Sequence, residues 1–483
     1  MPRATKLILI LFALLLGAMS GQQAQANTVN AASCNVSDVQ AAINSAANGD
    51  TVVIPNGSCT WSTGIALTKQ ITLMGASASG VTITYGASTA SASVYLLDVT
   101  TGSSFHTTIA NLNFLPPAAN PGIANASGYV RLHGSGLVPL MHDMSFSIPN
   151  FIISNAVEWD TTGGVGWNLN FYSTVNLAGT CGQQIGSDSG SLHIEPENRN
   201  WNTPSTMGTL DTTGTNNVYI EDSTFNAVGQ SPDIGDSGRA VFRHDVFQDI
   251  TGGETHGTSG TNTGRHWEIY DSQFKVTLPH KAMQRWVWLR GGTLLMTTNQ
   301  IDKMDMGSCY GVGNTLGLSV ENAQANSVHG CALGYMAYQQ PGSGSDGVPH
   351  SPSNVGSSNQ QSGGGPFDDP YQISDPVYVW NNSGAGATSN LYGFNDFQNS
   401  GFPNCNNINP ATGVNYKSSD FIHTGPPGVG RDAIYCETAD GCNVNQAGAA
   451  KPGWAPYPYP HPLRQGSSGP APAAPTGISI TVK

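Results

Sequence analysis

One short pattern recurs along this chain and limits what it can fold into. It is a strand-like run that ends in a polar pair followed closely by an aromatic or aliphatic residue: ANLNF (110–114), HDMSF (142–146), WNLNF (167–171), IEDSTF (220–225), RHDVF (243–247), IYDSQF (269–274) and TTNQI (297–301). Their last residues are separated by 32, 25, 54, 22, 27 and 27 positions, and 54 is two periods of 27. Related pieces recur at VYVWNNSG (377–384) and YGFNDF (392–397). A repeat of this length with a strand in each copy fits one coil of a parallel β-helix, in which equivalent residues of successive coils stack into ladders. Phe and Asn are the residues expected in those ladders.

Aligning three copies on Phe247, Phe274 and Ile301 gives a register. Ala240, Trp267 and Leu294 form one inward column, and Phe242, Ile269 and Met296 another, because side chains alternate faces along a strand. The outward columns are then Arg239/His266/Thr293, Val241/Glu268/Leu295 and Arg243/Tyr270/Thr297, which Asn217, Tyr219 and Glu221 of the preceding coil extend. Ahead of the repeats, Val39, Ala42, Ile43 and Ala46 share one helical face behind Asp38 as N-cap. A short helix here covers the open apolar end of the solenoid.

The composition agrees with many short strands joined by polar turns. Only 10 % of the 483 residues are charged, against roughly 25 % in ordinary soluble proteins, while Gly (59) and Pro (29) are abundant. The formal net charge of −13 argues against a nucleic-acid binder, which needs a basic surface. Residues 1–26 read as a signal peptide, with Arg3 and Lys6, the apolar stretch 7–17 and Ala24-Gln25-Ala26 as the cleavage site. The expected location is therefore extracellular or periplasmic, and no later stretch is apolar enough to span a membrane. Eight cysteines in an exported chain point to disulfides; proximity favours Cys34–Cys59, Cys309–Cys331 and Cys436–Cys442. The β-helix domain is expected over 27–465, with a Gly/Ser-rich insertion at about 340–370 and an aromatic-proline wrap at 453–463. Residues 466–483 form a Pro/Ala-rich linker and tail.

The cap helix, the repeat and the segments AVFRHDVF (240–247), RHWEIYDSQF (265–274) and WLRGGTLLMTTNQI (288–301) resemble secreted right-handed parallel β-helix proteins of the pectate-lyase-like superfamily. The resemblance implies an all-β, right-handed parallel β-helix that acts on polysaccharides. It covers polysaccharide lyases, glycoside hydrolases, epimerases, esterases and non-catalytic adhesins alike.

Basic residues direct the search for chemistry. Eight of the eighteen lie within 239–303, and an Arg is the natural fork for a carboxylate. Breaking a uronate chain by β-elimination needs a charge to neutralise the carboxylate, a base and an acid. Arg265 and Arg290 are candidates for the charge, His256 or His266 for the base and Tyr270 for the acid. Arg239, Arg243, Glu268, Lys281 and Arg285 are candidate substrate-binding residues, with Trp286 and Trp288 as a sugar platform. Calcium could be held by Glu221 and Glu268, or by Asp222 and Asp271, on neighbouring coils. The leading expectation is a monomeric polysaccharide lyase cleaving an acidic polysaccharide. A glycoside hydrolase of the same fold, with Glu221 and Glu268 as its carboxylate pair, is the alternative. So is a glycan-binding adhesive solenoid.

Overall fold

The computed structural model describes residues 26–86, 94–117, 128–148, 155–173, 191–196, 208, 211–250, 252–255, 264–277, 285–289, 292–302, 377–384, 451 and 453–465. It also describes the backbone of short strands between 316 and 436. The expected signal peptide but for its last residue, the 466–483 tail, and the expected Cys309–Cys331 and Cys436–Cys442 pairings lie outside what it describes.

The chain winds as a parallel β-helix. Each coil gives one strand to a ten-stranded sheet, here the small sheet, and one bent strand or two short ones to a twenty-stranded large sheet. Pairing within both is parallel from coil to coil, as for Arg239↔His266 and His266↔Thr293. The helix Val36–Ser45 packs Val39, Ala42 and Ile43 onto the first coils, and the Cys34–Cys59 disulfide ties its start to an early strand. Its N-cap is Asn35, not Asp38; Asp38 sits in the first turn, accepting from Ser33 Oγ at 2.5 Å, where its charge favours the helix dipole. Among the described residues, no helix is long and apolar enough to cross a membrane.

The polar pair of each repeat is the corner where the chain crosses the large sheet. Asn111, Asp143, Asn168, Asp222, His244, Asp271, Thr298 and Asn381 all take φ between 52° and 59°. Asn, Asp and His tolerate this left-handed conformation better than other side chains, which accounts for most of the residues found there. The residue after each corner points inward. In the later coils these residues form a hydrogen-bonded ladder: Ser223 N donates to Asp245 Oδ1 (2.7 Å), Ser272 N to Asn299 Oδ1 (2.9 Å) and Asn299 N to Asn382 Oδ1 (3.0 Å). Two residues on, Phe114, Phe146, Phe171, Phe225, Phe247 and Phe274 stack with centroids 4.8 to 5.7 Å apart. The inward columns Ala240/Trp267/Leu294 and Phe242/Ile269/Met296 are in register and in the core.

Candidate active site

The outward columns of the large sheet fall in the expected register, but they do not face solvent. Arg239, Arg243, Arg265, His266, Glu268 and Tyr270 are all buried. Residues 453–464 run across this face and seal much of it. Trp454 Nε1 donates to Glu268 Oε2 (3.1 Å), and Arg243 donates to the carbonyls of Tyr457 and Pro458 (2.7 Å each). Arg464 donates to Glu221 (2.7 Å) and Asp222 (2.6 Å), and Tyr459 OH donates to Asp222 (2.5 Å). Beneath this strap Arg243 grips Glu221 through Nε at 2.7 Å, and His266 Nε2 lies 2.9 Å from Glu268 Oε1. Val241, Tyr219, Tyr270 and Tyr457 pack around them as a second apolar cluster.

Glu221, Glu268 and Asp222 therefore already serve protein cations and donors, and the exposed basic face expected from sequence is a covered one. Trp286 is also not a sugar platform: it is buried in the core, edge-on to Phe274 with centroids 5.2 Å apart. His256, Lys281 and Arg290 lie outside the described residues, and Arg285 and Trp288 are described only as backbone of the strand Arg285–Leu289.

The open site lies on the small sheet. Four successive strands of it carry a polar or charged residue between apolar ones: Leu97-Asp98-Val99, Val130-Arg131-Leu132, Val157-Glu158-Trp159 and Leu192-His193-Ile194. The apolar neighbours point into the core and the charged residue points out. Parallel pairing stacks them in register as Ala66↔Asp98↔Arg131↔Glu158↔His193↔Asp233↔Glu254. Asp160 and Glu195, two residues beyond Glu158 and His193, stand beside the column. Together with Tyr95 and Asn155 they line a cleft of about 650 Å³.

The contacts in the cleft are short. Arg131 Nε donates to Asp160 Oδ2 at 2.7 Å. Glu158 accepts from Asn155 Nδ2 (2.6 Å), Tyr95 OH (3.2 Å) and His193 Nδ1 (2.7 Å). The other nitrogen of His193, Nε2, lies 3.5 Å from Glu195 and 3.7 Å from Asp233. Burial opposes charge on His193, but Glu158, Asp233 and Glu195 outweigh it and hold the imidazole well above its ordinary pKa. Glu158 is lowered, because His193 and its hydrogen bonds overcome burial. Burial and then the Glu158 charge push Asp160 up to about 7 despite Arg131. Burial raises Glu195, and burial followed by Glu158 raises the Tyr95 hydroxyl.

Glu158, His193 and Glu195 bring one potential ligand atom each within 4.8 Å of one another. The set does not suit calcium, which takes six to eight oxygens, whereas one of these three donors is an imidazole nitrogen. Both ring nitrogens of His193 already face carboxylates, so a proton balances their charge. The signal for this site was present in the sequence, as one charged or polar residue between apolar neighbours in each of these repeats.

No family model matches the chain, and no curated protein matches it in sequence. Among solved structures it is similar to the crystal structure of alginate lyase from Paenibacillus sp. str. FPU-7, at 15 % identity and a TM-score of 0.30, over 60 % of this chain and 97 % of that one. It is also similar to a mutant of the PL6 family alginate lyase AlyGC, at 11 % identity and a TM-score of 0.32, over 90 % of this chain and 59 % of that one. A further structure of AlyGC gives 12 % and 0.28, over 88 % and 53 %.

Proposed function

We propose that this protein is a secreted polysaccharide lyase that cleaves a uronate-containing polysaccharide by β-elimination in the small-sheet cleft. The observation that carries this reading is the gathering of a guanidinium, a carboxyl poised near neutrality and a protonated phenol in one open cleft. Arg131 neutralises the uronate carboxylate, which stabilises the charge that builds on it as the adjacent C–H bond breaks; the His193 imidazolium offsets the carboxylates of Glu158, Glu195 and Asp233 around it. Asp160, ionised in part at neutral pH, takes that proton. The C–H electrons form the C4–C5 double bond, the C4–O4 bond breaks, and the Tyr95 hydroxyl protonates the departing oxygen. Burial and Glu158 keep Tyr95 protonated until an alkoxide develops beside it.

A second reading has its own support. Glu158, on the strand Val157–Trp159, and Asp160, just past its end, line the same cleft, one lowered and one raised, which is how a hydrolase separates its ionised carboxylate from its acid. Incubation with a panel of polyuronates separates the two. Ultraviolet absorbance from an unsaturated sugar is the expected result, and new reducing ends without it would replace the lyase by the hydrolase. Neither signal on any uronate would leave a binding solenoid. Because the charge is supplied by side chains, EDTA is expected to leave the rate unchanged, and a rate restored only by added calcium would overturn that assignment.

A further inference from the structure

The cleft runs along the solenoid. Its lining passes from Ala66 through Asp98, Arg131 and Glu158 to His193, each in the next coil. Coils stack about 4.8 Å apart, close to the length that one sugar ring adds to a chain. A polysaccharide lying in the cleft therefore sets successive sugars over successive coils.

Charge along that line favours one carboxylate and disfavours its neighbours. Arg131, which receives the uronate, is paired with Asp98 in the coil before it and with Glu158 in the coil after. Asp98 is 43 % exposed, more than Arg131 at 32 %, so a sugar over that coil meets its carboxylate. His133 stands beside it, with Nε2 3.1 Å from Asp98 Oδ1 and 3.2 Å from Thr100 Oγ1. Lys69, in the coil of Ala66, donates to the carbonyls of Asn44 and Ala46 at 2.6 and 2.5 Å. Segments 87–93, 118–127 and 149–154, which lead into the strands of Asp98, Arg131 and Glu158, hold no Asp, Glu, Lys or Arg. On the far side, His193 is the second cation among the described residues lining the cleft, and Glu158 and Glu195 already engage it. Like charges one coil apart repel, so a site built this way rejects a second anion as well as accepting the first.

We infer that the cleft takes a polysaccharide in which each uronate is flanked by uncharged sugars, and that Asp98 keeps a second uronate out of the coil next to Arg131. This inference rests on the lyase reading and adds the substrate class to it. An uncharged sugar suits that coil, because the Asp98 carboxylate accepts hydrogen bonds from ring hydroxyls.

The intact protein tests this on polymers of known charge spacing. Ultraviolet absorbance gives kcat/KM on two homopolyuronates, polygalacturonate and alginate. It also gives kcat/KM on two polymers whose uronates alternate with uncharged sugars, hyaluronan and a rhamnogalacturonan backbone. An alternating polymer is expected to be cut at least tenfold faster than either homopolyuronate. A homopolyuronate cut as fast or faster would overturn the inference and leave the lyase reading standing. No unsaturated product from any of the four would overturn both.

Asp98→Asn separates this carboxylate from the overall charge of the protein. Short oligomers of the homopolyuronate are used as competitors against the polymer that is cut. Their inhibition constant is expected to fall about tenfold in the variant, while kcat on the cut polymer stays within twofold. Raising the ionic strength from about 0.01 M to about 1 M, which shortens the screening length from about 30 Å to about 3 Å, should erase that difference between variant and parent. Inhibition constants that are equal in variant and parent at low salt would overturn the role of Asp98. So would a difference that salt leaves untouched.

Discussion

Two charged ladders run along this solenoid, and they differ in what covers them. On the large sheet, Glu221 stacks on Arg243, and His266 stands beside Glu268 two residues along its strand. On the small sheet, Asp98, Arg131, Glu158 and His193 alternate in sign from coil to coil. Parallel strands make both, because equivalent positions meet at a spacing of about 4.8 Å and opposite charges there are favourable. The first ladder is sealed by residues 453–464, with carboxylates and guanidinium held by strap carbonyls, an indole and Arg464. Its charges hold chain segments together. The second stays open to solvent, and its charges hold protons away from their ordinary affinities. A charged ladder is available to a ligand only where nothing lies over it.

That contrast breaks most sharply at two arginines. Arg131→Ala is expected to lower kcat/KM on the polymer about 1000-fold, the scale of losing a preorganised donor to developing negative charge. Arg243→Ala is expected instead to cost about 3 kcal/mol of stability in denaturant unfolding, because it leaves the Glu221 carboxylate buried without its main partner. Turnover per folded molecule should stay as it was. The reverse result, a folded Arg243→Ala protein without activity, would return the active site to the large sheet.

The strap gives a smaller version of the same test. Arg464 joins the strap to both Glu221 and Asp222, and its guanidinium lies 5.5 Å from the Trp167 ring. Arg464→Ala is expected to cost about 2 kcal/mol, the range for hydrogen bonds to charged groups, with activity on the polymer unchanged. A rise in activity would show that the strap masks a working face instead of bracing one.

The corners explain how much could be read from sequence. Left-handed corners call for Asn or Asp, and a stack of rings calls for Phe, so the polar-pair-then-Phe pattern carried the coil period and the register through Trp267 and Ile269. The strap's position could not be read, because it is set by contacts such as Trp454 to Glu268 and His461 to Glu221, 186 and 240 residues apart in sequence. Without it, the cluster of arginines at 239–290 looks like an open basic face. The cleft was missed for a different reason. Each small-sheet strand offers a single charged residue, and the loops between Asp98, Arg131, Glu158 and His193 differ in length, so no local cluster forms in the sequence. Register alone brings them together.

Two buried carboxyls bring the comparison to its finest point. Asp245, inside the corner ladder, and Asp160, in the cleft, are both raised chiefly by burial. For each, the folded state keeps its proton at a pH where the unfolded chain has lost it, so stability falls as pH rises from the ordinary aspartate value toward the folded one. For Asp160 that window runs from 3.8 to about 7. In the proposed mechanism Asp160, which lines the cleft, is the base, and its ionised form is the active one. The rate should therefore rise through a midpoint near pH 7 and drop about tenfold for each unit below it. Asp160→Asn should remove this part of the stability slope, leaving the variant more stable relative to the parent at pH 8 than at pH 4, while abolishing most activity. That is the trade expected of a carboxyl kept buried for catalysis. A rate profile flat between pH 5 and 8, with the stability slope unchanged in Asp160→Asn, would take the base away from Asp160 and leave it a partner of Arg131 alone.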